Sequence, residues 1–271
     1  MPVDPELRLL DIAIPAQPES LVRLSLLLAE EDVNLQALAE LIESDMALAA
    51  AVLKAVNSSL YGLSGRVQSV QQAITYLGTR EVAAVTFEMG LRAVFPAAPE
   101  LKPIWDRAAQ RGLLMGRIGA ELGVDPWVSH SAGLFEECGK AVLFRHSRQS
   151  YGPMLKAAAD EAALLELEHA AFGVCNDKLG AALCETWGLA PAAVASVRHH
   201  VTVHATRELP PQVPRPAVCA LSALAHALMT APDTLEEVAA AVAPQAQLDE
   251  TLVLRAARKV QVHLVAAALR E

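Results

Sequence analysis

The sequence predicts an all-α protein, and three observations carry that prediction. Hydrophobic residues make up 53% of the 271 residues but aromatics only 4%, so Ala, Leu and Val must fill the interior. Ala and Leu are strong helix formers, and small side chains suit close helix packing. Apolar residues recur at helical spacing between successive cap signals. No stretch alternates with a period of two among β-branched residues, and no repeat of fixed period is present.

The elements follow in order. Asn34 caps a segment with Leu35, Leu38, Leu41 and Ile42 on one face, and Asp45 caps the next, with Leu48, Val52, Leu53 and Val56. Ser69 and Gln72 form a capping-box pattern for a helix ending at Gly78. Thr79 is expected to cap a helix to about Val94, and Pro96 and Pro99 mark a boundary. A long helix runs from Pro103 to Leu122 and stops at Gly123. Asp125-Pro126 reads as a cap followed by proline at the first helical position. Helices are expected over 126–137, 140–146, 152–163, 165–172, 177–187 and 191–201. The run from Leu209 to Pro216 holds four prolines and reads as a stiff connector. Helices over 217–229, 235–242 and 251–269 complete the chain. In the last one, Val253, Ala257, Val260, Leu264 and Ala268 share a face that packs on the core or on a second copy.

Length allows one or two domains, because single cores stop growing near about 250–300 residues. The formal net charge is −9, and no dense Lys/Arg run suggests a nucleic-acid partner. Arg255, Arg258 and Lys259 read as a solvated helix face. The start of the chain carries Asp4, Glu6 and Asp11 without an apolar core stretch, unlike a signal peptide. The longest uncharged segment, Pro216 to Pro232, is shorter than the ~20 residues that span a bilayer and reads as a buried helix. Cys138, Cys175, Cys184 and Cys219 make no CxxC pair. The expectation is a cytoplasmic protein with reduced thiols and no membrane partner.

Two constellations could carry chemistry. His200 and His204 stand at i, i+4 beside Arg198 and His199, a spacing that zinc sites use. The glutamate of an HExxH motif is missing, and helix propensity falls over Val201-Thr202-Val203, so interhelix hydrogen bonding is the simpler reading. Glu136-Glu137 precedes Cys138-Gly139-Lys140 in an apolar run. Adjacent helical residues point about 100° apart, so one carboxylate is expected inward and the other in solvent. An inward Glu is a general base or the partner of a cation, because an unpaired buried carboxylate is costly. Cys138 reads as a small core residue rather than a nucleophile. No phosphate loop or GxSxG elbow is present.

The run Leu41 to Leu48, the element Asn57-Ser58-Ser59-Leu60-Tyr61-Gly62 and the run Val67 to Gly78 resemble the HDOD family, the HD-related output domain. Ile14-Pro15-Ala16-Gln17-Pro18, Ala132-Gly133-Leu134, Gly139-Lys140, Trp187-Gly188-Leu189 and Arg198-His199-His200 fit the same family, over roughly residues 12–230. The resemblance implies an N-terminal helical subdomain, residues 1–95, packed on an HD-domain-like subdomain, residues 96–208. Residues 209–271 would then pack C-terminal helices on that core.

The family's second half is similar to HD-type phosphohydrolases, which bind a divalent metal through a His, a His-Asp pair and a later Asp. The first His is expected two residues after Trp105, where this chain has Arg107. Glu136-Glu137 stands at the His-Asp pair, Asn176 at a further His and His226 at the late Asp. His199 and His200 remain without these partners. A guanidinium has no lone pair and repels a dication. The resemblance therefore implies a vestigial site in which Arg107 pairs with Glu136 or Glu137, with no catalytic residue, metal or cofactor. The implied role is regulation in bacterial signalling, through an unidentified partner protein contacted by the helices up to about Val94 and by the groove between the halves. Two alternatives stay open. Arg107, Lys140 and Arg198 could hold a cyclic dinucleotide, another nucleotide or a phosphate ligand. Glu136, Glu137, His199 and His200 could hold Mg²⁺ or Mn²⁺ in a metal-dependent phosphohydrolase.

Overall fold

Caps and buried apolar stripes set the elements of a computed structural model that describes residues 11–28, 34–58, 61 and 65–268 (backbone alone over 263–268). Every regular element among the described residues is helical. The chain divides into two units: residues 17–94 with the segment beyond Gln261, and residues 95–261 with the segment before Gln17. Asp4, Glu6, Ser59, Leu60, Gly62 and the side chains of Leu264 and Ala268 lie outside the described residues.

The first unit opens with α1 (Glu19–Leu28), which no cap signal marks in the sequence. Pro18 starts it through its carbonyl, which accepts from the N–H groups of Leu21 and Val22, and Leu21 and Leu24 bury its inner face. Asn34 opens α2 (Leu35–Glu43) by accepting from the N–H groups of Gln36 and Ala37. Asp45 does the same for α3 (Met46–Val56), with Ala47 and Leu48 as donors. Of the side chains the helical spacing places on a face, Leu38, Ile42, Leu48, Val52 and Val56 are buried, whereas Leu35, at the first position of α2, is 54% exposed. At α4 (Val70–Leu77), Ser69 accepts from the Gln72 N–H at 3.1 Å, but Gln72 reaches past Ser69 to the N–H of Gln68. The reciprocal half of the capping box is thus displaced by one residue. α5 (Thr79–Ala93) contradicts the expected cap: Thr79 is its first helical residue, and Gly78 precedes it with no side-chain hydrogen bond. Asn57, from the recognised element, donates to the carbonyls of Leu53 and Val67 and accepts from the Val67 N–H. One amide therefore closes the loop between α3 and α4.

The second unit begins with a 3-10 turn at Pro99–Leu101 and continues as α6 (Lys102–Leu122), α7 (Pro126–Phe135), α8 (Cys138–His146), α9 (Arg148–Ala157), α10 (Glu161–Phe172), α11 (Asn176–Thr186), α12 (Pro191–Thr206), α13 (Ala217–Thr230), α14 (Leu235–Gln245) and the start of α15 (Glu250–Ala268). Asp125 caps α7 through the N–H groups of Trp127 and Val128. The break expected between 163 and 165 lies earlier in the chain, because α9 ends at Ala157 and α10 begins at Glu161. Asp160 accepts from the Ala163 N–H and starts α10 there, leaving 158–160 as the break. α12 runs past the expected end at Val201 because Val201 and Val203 are buried, and burial outweighs the weak helix preference of β-branched residues. α13 is buried along most of its length, as its uncharged sequence predicts. The segment before Gln17 is pinned to this unit by the Trp187 indole, which donates to the Pro15 carbonyl at 2.8 Å and packs edge-on against Phe135.

Candidate functional site

α7 and α6 approach backbone to backbone. A Cβ on Gly133 would stand 2.9 Å from the carbonyl carbon and oxygen of Arg111, so the missing side chain sets how closely the end of α7 lies on α6. α8 meets α11 still more closely, since a Cβ on Gly139 would stand 1.8 Å from the Asn176 carbonyl oxygen. Between these two contacts the chain turns. Glu136 keeps helical angles, but Glu137 sits at φ −100 and ψ 7, outside both helices. The expected split of one inward and one solvated carboxylate is therefore wrong: Glu136 is 0% and Glu137 3% exposed. The turn removes the helical relationship on which that expectation rested.

Cations surround both carboxylates. Arg107 grips Glu137 with two hydrogen bonds, Nε to Oε1 at 3.0 Å and Nη2 to Oε2 at 2.5 Å. Arg111, one turn further along α6 and missed by the sequence reasoning, donates from Nη1 to Glu137 Oε1 at 2.9 Å. Its Nε also stands 2.9 Å from Glu136 Oε1, in ionic contact but not aligned for a hydrogen bond. Lys140, itself 2% exposed, donates from Nζ to Glu137 Oε2 at 2.9 Å and to Glu161 Oε1 at 2.6 Å. Three carboxylates thus meet three cations. Burial alone would push the Glu137 carboxyl up, but Lys140, Arg107 and Arg111 together hold it well below the ordinary range. Arg107 is pushed up by its hydrogen bond to Glu137. Arg111 is penalised by burial, yet Glu136 and Glu137 keep its affinity for the proton above the ordinary value.

A histidine arm joins the same cluster. Ser222 on α13 donates its hydroxyl to Glu136 Oε2 at 2.6 Å. That leaves the Ser222 oxygen to accept from His204 Nε2, 2.9 Å away. The His226 ring stacks on His204 with centroids 4.0 Å apart, and His200 meets His204 edge-on at 5.7 Å. His200 is tied through Nδ1 to the Val197 carbonyl. Burial pushes both His204 and His226 down, His204 strongly, and neighbouring cationic groups add to it. His204 is weighed in the sequence only as half of an i, i+4 pair with His200, and Ser222 is not marked there at all. The i, i+4 spacing from His200 was the signal for the first, and nothing local marks the second.

Asn176 serves a different carboxylate. Its backbone N–H and its side-chain amide bind Glu168, which is 0% exposed and also accepts from the Tyr151 hydroxyl at 2.5 Å. The expectation that Arg198 converges with Arg107 and Lys140 is contradicted: Arg198 pairs with Glu185 of α11 at 2.9 Å. His199 is half-buried, and the charges acting on its ring are Arg198 and Asp177 rather than the cluster.

The side chains present do not fit a divalent metal. Two guanidiniums without lone pairs face the carboxylates, Glu136 and Glu137 already point their oxygens at donors, and among the described residues no three His, Cys, Asp or Glu converge to hold an ion.

Comparison with known proteins agrees with the architecture. A sequence model of the HDOD domain matches residues 14–203. An HDOD domain protein of unknown function from Geobacter sulfurreducens superposes with a TM-score of 0.70 at 21% identity, covering 97% of this chain and 94% of that one. A candidate phosphohydrolase from Shewanella amazonensis superposes with a TM-score of 0.69 at 17% identity, covering 97% of each chain. At those identities the likeness is one of fold. An uncharacterised protein of Treponema pallidum is 26% identical over 209 residues, which cover 74% of this chain and 40% of that protein. The chain thus spans well under two thirds of that relative's length.

Proposed function

The chain belongs to the HDOD domain family, and from that membership we propose that it is a non-catalytic member that regulates a signalling protein by binding it. One observation carries the reading. At the place where the HD-type resemblance expects a metal-binding imidazole stands Arg107, locked onto Glu137. Its charge is permanent, so the pair replaces a metal and its ligands with an internal ion pair. Arg111, Lys140 and Glu161 extend that pair into a network in which each carboxylate already faces a cation.

What remains for function is binding. The unit of residues 17–94 keeps large apolar side chains in solvent: Met46 is 86% exposed, Leu26 67% and Tyr76 62%. Exposed apolar area of this kind marks a protein-interaction surface when it is contiguous. No helix among the described residues is long and apolar enough to cross a membrane.

The test has two parts. Purified protein is expected to carry no stoichiometric divalent metal and to turn over neither phosphodiesters nor phosphomonoesters with Mg²⁺ or Mn²⁺ supplied. Stoichiometric metal that is lost in Glu136→Ala would revive the hydrolase reading. Tagged protein in its native cell is expected to recover a partner that rebinds as a purified component, with Met46→Asp weakening the complex. Failure of that reconstitution sinks the regulatory role.

A further inference from the structure

Glu161 stands apart from the other members of the cluster. It is the first residue of α10, on a different element from every cation it faces, and its side chain is 41% exposed. Lys140 beneath it is almost wholly buried, and Glu161 Oε1 lies 2.6 Å from its Nζ. Glu161 also acts electrostatically on Arg107, Arg111 and His226. Its second oxygen, Oε2, is out of solvent and has no hydrogen-bond partner. Arg107 uses Nε and Nη2 on Glu137, and its side chain is 41% exposed.

The charge arithmetic turns on this one residue. With Glu161 in place the three cations are balanced. Without it, Arg107, Arg111 and Lys140 face only Glu136 and Glu137, and one buried positive charge is uncompensated. Such a charge is costly and draws an anion if solvent can reach it. The Glu161 side chain is 41% exposed and Lys140 beneath it only 2%, so moving Glu161 aside would open Lys140 to solvent. An ion pair with a half-exposed partner is worth little, and Lys140 Nζ is the one group to which the Glu161 carboxylate is hydrogen-bonded among those described, its Oε2 being unpartnered.

We propose that Glu161 is a tethered stand-in for a ligand, and that the phosphoryl or carboxylate end of a small anionic ligand binds Lys140 and Arg107 when Glu161 swings out. Binding would release α10's first turn from α8, which makes the exchange a signal readable at the surface. The inference rests on the reading that cations fill this site in place of a metal.

The experiment titrates inorganic phosphate, and separately acetate, into the full chain by calorimetry, with chloride at matched ionic strength as the control. Glu161→Gln is expected to bind one of the two at least tenfold more tightly than the unaltered chain. The arm that responds tells a phosphoryl from a carboxylate ligand. Glu161→Ala, which cannot hydrogen-bond in the vacated place, is expected to show the same gain. Arg107→Gln combined with Glu161→Gln is expected to reverse it, while Arg111 and Lys140 still hold Glu137. Equal affinities in the unaltered chain and both Glu161 variants overturn the proposal, as does a gain that persists in the double variant. Stoichiometric metal in the unaltered chain overturns the underlying reading instead, and is measured independently of phosphate.

Discussion

Ser222 donates its hydroxyl to Glu136 at 2.6 Å, a bond between positions 86 residues apart that ties α13 to the turn between α7 and α8. It is the hydrogen bond that satisfies Glu136 Oε2, and Glu136 has no solvent to fall back on. Ser222→Ala therefore leaves a buried carboxylate oxygen unpaired and takes away the acceptor of His204 Nε2. The expected loss is about 1–3 kcal/mol of unfolding free energy, the usual penalty for stranding a buried polar group. Urea denaturation measures it directly. A variant as stable as the parent would mean that the hydroxyl bond is not what holds Glu136.

Glu137 and Arg107 make the two ends of one ion pair but should not be equally costly to remove. Glu137→Ala takes the carboxylate from Arg107 and leaves three cations, two of them nearly free of solvent, facing only Glu136 and Glu161. Breaking a buried pair from the side that leaves charge behind costs about 3–5 kcal/mol. Arg107→Met leaves Glu137 with two other cations and removes a side chain that is 41% exposed, so about 1 kcal/mol or less is expected. The ratio of the two losses, read from urea midpoints at constant slope, is the measurement. Equal losses would place the weight of the network on Arg107 alone.

That asymmetry also shows what the sequence could convey. Caps are local, and Asn34, Asp45 and Asp125 could be placed because each needs only the next three residues. The two carboxylates were legible as a site, and Arg107 as the partner of one of them. Their joint burial was not, because it depends on a two-residue break between α7 and α8 that neither glutamate announces. Arg111 sits at i+4 from Arg107, on the buried face that also carries Ala108, Leu114 and Ile118, so an arginine within an apolar stripe was the available signal. Arg198 was grouped with Arg107 and Lys140 on charge alone. Only the packing of α12 on α11 shows that it faces Glu185. Glu161 and Ser222 are ordinary residues in ordinary helices, and their roles exist only in three dimensions.

Acid should weaken the fold in two stages of the same sign. His204 sits out of solvent, faced by His226, His200, Ser222 and Arg111, with Glu136 and Glu137 as the nearby carboxylates, and its folded value lies well below the ordinary 6.5. Below 6.5 the unfolded chain therefore binds the proton that the fold refuses, so stability is full above that value and falls as pH drops beneath it. Glu137 has a folded value well below the ordinary 4.5, so its contribution is present above 4.5 and is lost as pH falls through the folded value. The urea midpoint should decline as pH falls below about 6.5, and His204→Gln should lessen that decline while leaving the more acidic loss intact. A midpoint that rises on acidification below 6.5 would contradict the buried, neutral state of His204.

The sharpest steric prediction concerns Gly139. A methyl group there would stand 1.8 Å from the Asn176 carbonyl oxygen and 2.7 Å from the Gly180 backbone nitrogen. Both are helical backbone atoms of α11, which cannot rotate away as a side chain would. Gly90 makes the comparison. Its Cβ would stand 2.5 Å from Leu21 Cδ2, the far end of a flexible side chain. Overpacking a core costs about 1–3 kcal/mol when neighbours can shift and more when they cannot. Gly139→Ala should therefore exceed Gly90→Ala in destabilisation and sit at or above the top of that range. It should also separate α8 from α11, pulling Lys140 and Glu137 out of register with Arg107 and Arg111. Hydrogen exchange would report this as lost protection in both α8 and α11, whereas protection in α6 should fall less. If Gly139→Ala proves no worse than Gly90→Ala, α8 and α11 do not approach as closely as the cluster requires.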